Sequence, residues 1–184
     1  MNFYEKEQNM QNLKFSILKK DDINAVVEII NKAYRGEISG KAWTSEGKIL
    51  SGIRVNEDMI KEILEEKNSK IYITKFEDKI VGTIQAKLEN NSIYIGLFAV
   101  NPYFQGSGVG KKLLEFTEKS SMKLYNADKF IMQVISIRTD LIEFYKRRGY
   151  KVTNSFLEFP KSELWDFRTN EELKFVVLEK DILR

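Results

Sequence analysis

An α+β fold is predicted for this 184-residue chain by three features. Strand-like apolar runs are separated by two-residue polar turns, a glycine turn leads from a strand into an amphipathic helix, and helix-strand alternation closes the chain. Leu13 to Leu18 alternates apolar and polar residues as a half-buried strand does. Asp21-Asp22 then supplies an acidic first turn to a helix carrying Ile23, Val26, Val27 and Ile30 on one face, and Tyr34-Arg35-Gly36 ends it. From Glu37 to Val55 no period holds, which predicts a loop or a short irregular helix, the kind of connection where substrates bind. A second helix begins at Asn56, with Met59, Ile60, Ile63 and Leu64 as its apolar stripe. Lys70 to Phe76, Ile80 to Leu88 and Ile93 to Val100 form a meander, joined at Glu77-Asp78 and Asn90-Asn91. Past the glycine turn, Leu113, Leu114, Phe116 and Thr117 open a helical pattern continued by Met122 and Leu124. A strand over Phe130 to Ile135, a helix from Thr139 stopped by Gly149, and strands near Tyr150 to Phe159 and Phe175 to Glu179 complete the order.

Composition narrows the chemistry. No linker splits the chain, so residues 1–12 are read as a flexible tail and residues 13–184 as a single domain. Cysteine and histidine are absent, which removes disulfides, Cys-His zinc sites, thiol nucleophiles and imidazole bases; no metal site is expected. Catalysis must then rest on carboxylates, Tyr, Lys, Ser, water or backbone groups. A net charge of +3, from 30 basic and 27 acidic side chains interspersed along the chain, is too slight for a nucleic-acid footprint. Without a long apolar span or a leader-like start, a soluble cytoplasmic protein is expected, with no membrane partner. The aromatic group Phe156, Phe159, Trp165 and Phe167 belongs either to the core or to a homodimer surface.

The most informative segment is Gln105-Gly106-Ser107-Gly108-Val109-Gly110, between the run Ile93 to Val100 and the helix that opens with Lys111 and Lys112. Three glycines let backbone N–H groups and the positive end of the helix converge on phosphate oxygens. Two common phosphate loops fail here. A Walker loop needs Ser or Thr after its Lys to hold magnesium, but Lys112 follows Lys111. A dinucleotide fingerprint needs G-x-G-x-x-G, whereas the spacing here is G-x-G-x-G, and Asp128 precedes rather than ends the next apolar run.

What the segment resembles is the acyl-CoA signature of the GNAT superfamily of CoA-dependent N-acyltransferases, [Q/R]-x-x-G-x-[G/A], with Gln105, Gly108 and Gly110 at its fixed positions. Leu97-Phe98-Ala99-Val100-Asn101-Pro102 precedes it, and Phe144-Tyr145-Lys146-Arg147-Arg148-Gly149-Tyr150 looks like the superfamily's tyrosine helix. The resemblance implies a mixed, mostly antiparallel sheet of six to seven strands, flanked by helices, whose central strands splay apart. It also implies acetyl-CoA as the cofactor, with the backbone of Leu97, Phe98, Ala99 and Val100 along the pantetheine. Gln105, Gly106, Ser107, Gly108, Val109, Gly110 and Lys111 would lie at the pyrophosphate, and Val134, Ile135 and Ser136 on the far wall of the gap. Lys111, Lys112, Lys146 or Arg147 would reach the phosphates, and solvated helix faces are their alternative. Tyr145 matches the family's general acid, with core packing as the plain alternative, and an amide of Val100 or Ala99 would face the oxyanion.

An acid on the fourth strand, which many members use, is replaced here by Tyr94, Ile95, Gly96 and Leu97, so the general base must come from elsewhere. A bacterial subset of the superfamily is closer still. It shares Tyr34-Arg35-Gly36-Glu37, Trp43-Thr44-Ser45-Glu46, Arg54 and Val134-Ile135-Ser136-Ile137-Arg138. That resemblance implies an acceptor pocket lined by Tyr34, Glu37, Trp43, Glu46, Arg54 and Arg138, with Glu46 as the candidate base and an Arg available for a substrate carboxylate; surface loop charges are the alternative for Glu37 and Glu46, and core packing for Trp43. The expected activity is direct transfer of an acetyl group from acetyl-CoA to the primary amine of a small metabolite. A non-catalytic acyl-CoA sensor and a nucleotide-binding regulatory domain are the alternatives.

Overall fold

The computed structural model describes residues 12–36 and 45–183, and there it forms a seven-stranded sheet flanked by four α-helices. The expected tail, residues 1–12, lies outside the described residues except for Asn12. The strands are β1 (Lys14–Ile17), β2 (Ser69–Phe76), β3 (Lys79–Glu89), β4 (Ser92–Val100), β5 (Lys129–Ile135), β6 (Lys151–Glu158) and β7 (Lys174–Asp181). Their order is β1-β2-β3-β4-β5-β7-β6, antiparallel throughout except for the β4–β5 pair. The helices are α1 (Ile23–Arg35), α2 (Glu57–Glu65), α3 (Val109–Leu124) and α4 (Thr139–Lys146).

Local chemistry accounts for the boundaries. Asn56 caps α2 by accepting from the Met59 amide at 2.9 Å, so the unpaired donors of its first turn are partly satisfied. Glu77 and Asp78 both take positive φ, the geometry of a two-residue hairpin turn whose twist matches its strands. Beyond α4 the chain continues through turns to Gly149, whose φ of +89° lets it reverse into β6.

Each face of the sheet has its own apolar layer. Ile30 of α1 and Ile60 of α2 are buried in one cluster with Ile71 and Ile73 of β2; Leu113 and Leu114 of α3 are buried in another with Tyr72 and Phe130. Burial of one such side chain contributes about 1.5–3 kcal/mol, so either layer outweighs the few ladder bonds lost where the sheet opens.

Two departures from a regular sheet position the site. β4 and β5 pair only at Ser92↔Lys129, Ile93↔Phe130 and Tyr94↔Ile131 and then separate, the splay that the family resemblance implied. The β3–β4 register also shifts between Thr83↔Ala99 and Gln85↔Gly96, which places one extra residue in β4, and Leu97 there has φ +45°. This bulge reverses the alternation of the strand. Ile93 and Ile95 pack in the α3 layer, but Leu97 and Ala99 pack in the α1 layer. Phe98 and Val100 are thereby turned toward α3.

Candidate active site

The glycine turn is tied to the end of β4 by its own motif side chain, since Gln105 Nε2 donates to the Val100 carbonyl at 3.0 Å. Gly106 and Gly108 take φ of +75° and +92°, conformations in which a Cβ is strained, and Gly108 caps α3. Val109, Gly110 and Lys111 occupy the first turn of α3, where no preceding carbonyl of the helix is in place to accept their N–H groups. A Cβ on Gly106 would stand in open space, and one on Gly110 would sit 3.5 Å from Phe98 and Val100. Bare amides, a helix dipole and close backbone access thus fit a phosphate-bearing ligand.

In front of this seat lies a cavity of about 370 Å³, whose walls include Phe98, Val100, Leu141, Phe144 and Tyr145. It is mostly apolar, with Lys111 and Arg148 as its basic residues. Arg148 lies over the Phe144 ring, 3.3 Å from its centre, and donates to the Phe144 carbonyl at 2.6 Å. Neither Lys146, paired with Glu143 at 2.6 Å, nor Arg147 lines the cavity. Helical spacing explains the substitution, because Leu141, Phe144, Tyr145 and Arg148 share one face.

Tyr145 is 9% exposed and packs edge-on against Phe144 and Tyr150. Its hydroxyl has no protein hydrogen-bond partner among the described residues. Burial drives its pKa well above the ordinary phenol value of 10.0, with a further push from Tyr34. The phenol therefore keeps its proton at neutral pH and has it free to donate.

A second cavity, about 210 Å³, opens in the splay between β4 and β5 and shares Tyr34, Phe98, Leu141 and Tyr145 with the first. Its ionic lining is Arg35, Glu46 and Arg54. Arg35 donates to Glu46 Oε2 at 2.6 Å in a pair largely shielded from water, their side chains 7% and 11% exposed. Glu46 Oε1 has no protein partner among the described residues. Tyr34 donates to the Phe98 carbonyl at 3.2 Å; burial pushes its pKa up to about 12, against the lowering effect of Arg54. Tyr94 folds over Gly96 so closely that a Cβ there would meet its ring at 2.7 Å.

This second cavity is assembled by long-range backbone pairing. Ser51 and Ile53 donate to the carbonyls of Asp166 and Leu164, and Arg168 donates to that of Ile49. Gly52 makes this approach possible, since a Cβ would lie 2.1 Å from the Leu164 oxygen. Trp165 is brought in this way beside Arg35 and Arg54.

Most of the residues expected from the sequence converge here. Gln105, Gly106, Gly108, Gly110, Lys111, Phe98, Val100 and Tyr145 line the first cavity, and Tyr34, Glu46, Arg54, Leu97 and Tyr145 the second. Ala99, Ser107, Val109 and Ser136 line neither; the Ser136 amide is bonded to Lys174. Arg138 also lines neither, its guanidinium engaging Asp140 at 2.8 Å and the Ser45 carbonyl at 3.3 Å. Glu37 and Trp43 lie outside the described residues. Residues that sequence reading passed over are Arg35, which stood inside a quoted motif, Tyr94, noted only for not being an acid, and Trp165, assigned to a core or a pairing surface.

Two cavities meet at a proton-bearing phenol, one of them backed by an anion seat, an arrangement that suits a two-substrate group transferase. Comparison supplies the family. Residues 44–169 match the acetyltransferase (GNAT) domain, and the chain belongs to that family. It is an acyltransferase whose donor is acetyl-CoA. Among solved structures, the ribosomal-protein-S18-alanine N-acetyltransferase of Escherichia coli is similar at TM-score 0.69 and 14% identity, over 94% of this chain and 95% of that one. Protein smu.2055 of Streptococcus mutans UA159 gives 0.69 at 20% identity, over 91% and 98%. The PaiA N-acetyltransferase of Thermoplasma acidophilum, solved with coenzyme A, gives 0.66 at 16% identity, over 92% and 99%. At these identities the likeness shows the fold. A search of curated proteins finds no match. Among the described residues no helix is long and apolar enough to cross a membrane, and no three or more Asp or Glu side chains are grouped so as to hold a metal ion.

Proposed function

We propose that this enzyme acetylates the primary amine of a small amino-bearing metabolite by direct attack, with no acyl-enzyme. The observation that carries the reading is the junction of the two cavities at Tyr145 and Phe98, with the phosphate seat behind and a small ionic pocket in front. In this reading the amides of Gly106 to Lys111 hold the diphosphate, and the edge of β4 freed by the splay pairs with the pantetheine arm as an added strand would. Acetyl-CoA supplies an activated acyl carbon, at which the C–N bond forms as the C–S bond breaks and its electron pair leaves on sulfur.

The chain's own groups manage the protons. Tyr145 donates its phenolic proton to the departing sulfur, a role supported by its unpartnered hydroxyl at the junction of the two cavities. Glu46, held by Arg35, presents Oε1 to the acceptor and takes the amine proton directly or through water. Tyr34 positions the junction through its bond to the Phe98 carbonyl.

The test is free-thiol release from acetyl-CoA across two panels, small amino metabolites and peptides with free N-termini. Release with members of the first panel and not the second is expected. Release with peptides alone would overturn the small-metabolite assignment.

A further inference from the structure

Among the described residues, the second cavity holds one cation that no carboxylate neutralises. Of its two arginines, Arg35 is paired with Glu46. The guanidinium of Arg54 has no carboxylate and no hydrogen-bond acceptor among the described residues. It is nonetheless held in place. Its backbone amide donates to Asn31 Oδ1 at 2.7 Å, and Asn31 also bonds both backbone groups of Val55. Its charged end lies 5.5 Å from the centre of the Tyr34 ring and 5.9 Å from that of Trp165.

A half-buried guanidinium fixed in a cavity whose other walls include Met132, Phe159 and Phe175 loses hydration without a counter-ion to offset it. Its planar fork of donors suits a carboxylate or a phosphate. One uncompensated positive charge is matched by one negative charge, which favours the carboxylate. The same cavity is lined by Glu46, a carboxylate suited to an ammonium or amine. The lining therefore complements a molecule with an amine and an anion, in a volume of about 210 Å³.

Building on the acetyltransferase reading above, we infer that the acyl acceptor is a free amino carboxylate, an amino acid or a close relative, whose carboxylate is bound by Arg54 while its amine lies at the Tyr145 junction. The carboxylate is a handle and is unchanged by the reaction. The amine nitrogen gains the acetyl group and loses one proton to Glu46 or water, and the coenzyme leaves as the free thiol. Asn31 is a positioning residue, because it fixes the backbone that carries Arg54.

The experiment compares amino acids and ω-amino carboxylates with their carboxamides, and with O-phosphoethanolamine, in two assays. One is thiol release; the other is calorimetric binding to the protein saturated with CoA. The expected result is that at least one acid binds and reacts with a KM lower than that of its amide by roughly 10- to 100-fold, with a smaller change in kcat. In Arg54→Gln that acid-to-amide ratio falls toward one, and Arg54→Lys, which keeps the charge and loses the fork, retains part of it. Thermal melts establish that both variants are folded. Equal use of acids and amides, an unchanged ratio in Arg54→Gln, preference for the phosphate compound, or the absence of carboxylate binding would each overturn the inference. Continued thiol release with neutral amines in those cases would leave the small-amine reading standing, so the two failures are distinguishable.

Discussion

The cavity beneath the glycine turn and the pocket around Arg54 share a wall but are made differently. The first comes mainly from one stretch of chain, Phe98 to Lys111, faced by one helical surface, Leu141 to Arg148, with Tyr34 of α1 completing its wall, and the first-turn amides of α3 stand behind it. The second draws on α1, the segment from Glu46 to Arg54, both splayed strands and the connection around Trp165, and its polar groups are side chains. A seat for a common coenzyme can be built from backbone, which any sequence supplies once glycines open the way. Selection of an acceptor needs particular side chains gathered from distant parts of the chain. Substitutions in one region should accordingly leave the other's ligand affinity unchanged.

The sharpest way to break that comparison is Glu46→Ala, which strands Arg35 in a buried site. Removing one member of a buried pair costs about 3–5 kcal/mol, so a large fall in denaturant midpoint is expected while coenzyme affinity of the folded fraction holds. An equal loss of coenzyme affinity would join the two regions. Gly52→Ala should follow in size: positive φ alone costs about 1–2 kcal/mol, and the added Cβ would force the backbone away from Leu164. A raised KM for the acceptor with unchanged CoA binding is expected, checked by steady-state kinetics and calorimetry. On the other side, Gly106→Ala strains a φ of +75° without meeting any atom, so about 1 kcal/mol is expected in stability, together with weaker CoA binding and an unchanged acceptor KM. The smallest effect is on the pH profile. Because burial raises the pKa of Tyr145, the acid form persists as pH rises through 10.0, and kcat should show no falling limb below that value. A descending limb centred near neutrality would assign the proton donor to another group.

Legibility in the sequence followed the same division. The strands and helices were readable because each has its own period and punctuation: Asn56 before α2, Glu77-Asp78 and Asn90-Asn91 between strands, Gly149 after α4. The glycine turn beside the first cavity was readable because Gln105, Gly108 and Gly110 are local and closely spaced. The bulge was not, since the apolar run Ile93 to Val100 has no mark at Leu97; positive φ there is imposed by the packing of both faces rather than by local preference. Trp165 reaches the second cavity, and Gly52 meets Leu164, only through bonds between residues more than 100 positions apart, which no local pattern encodes. Arg35 shows a further limit: its place in a motif was visible, but its burial against Glu46 was not.

Everything depends on the phenol at the junction of the two cavities. The most direct measurement is Tyr145→Phe, compared with the unaltered enzyme in single-turnover acetyl transfer and in calorimetric titration with CoA. A loss of roughly 10²–10⁴-fold in the transfer rate with unchanged CoA affinity is predicted. Unchanged transfer would contradict the account, and Tyr145 would then be a core residue that happens to border both cavities.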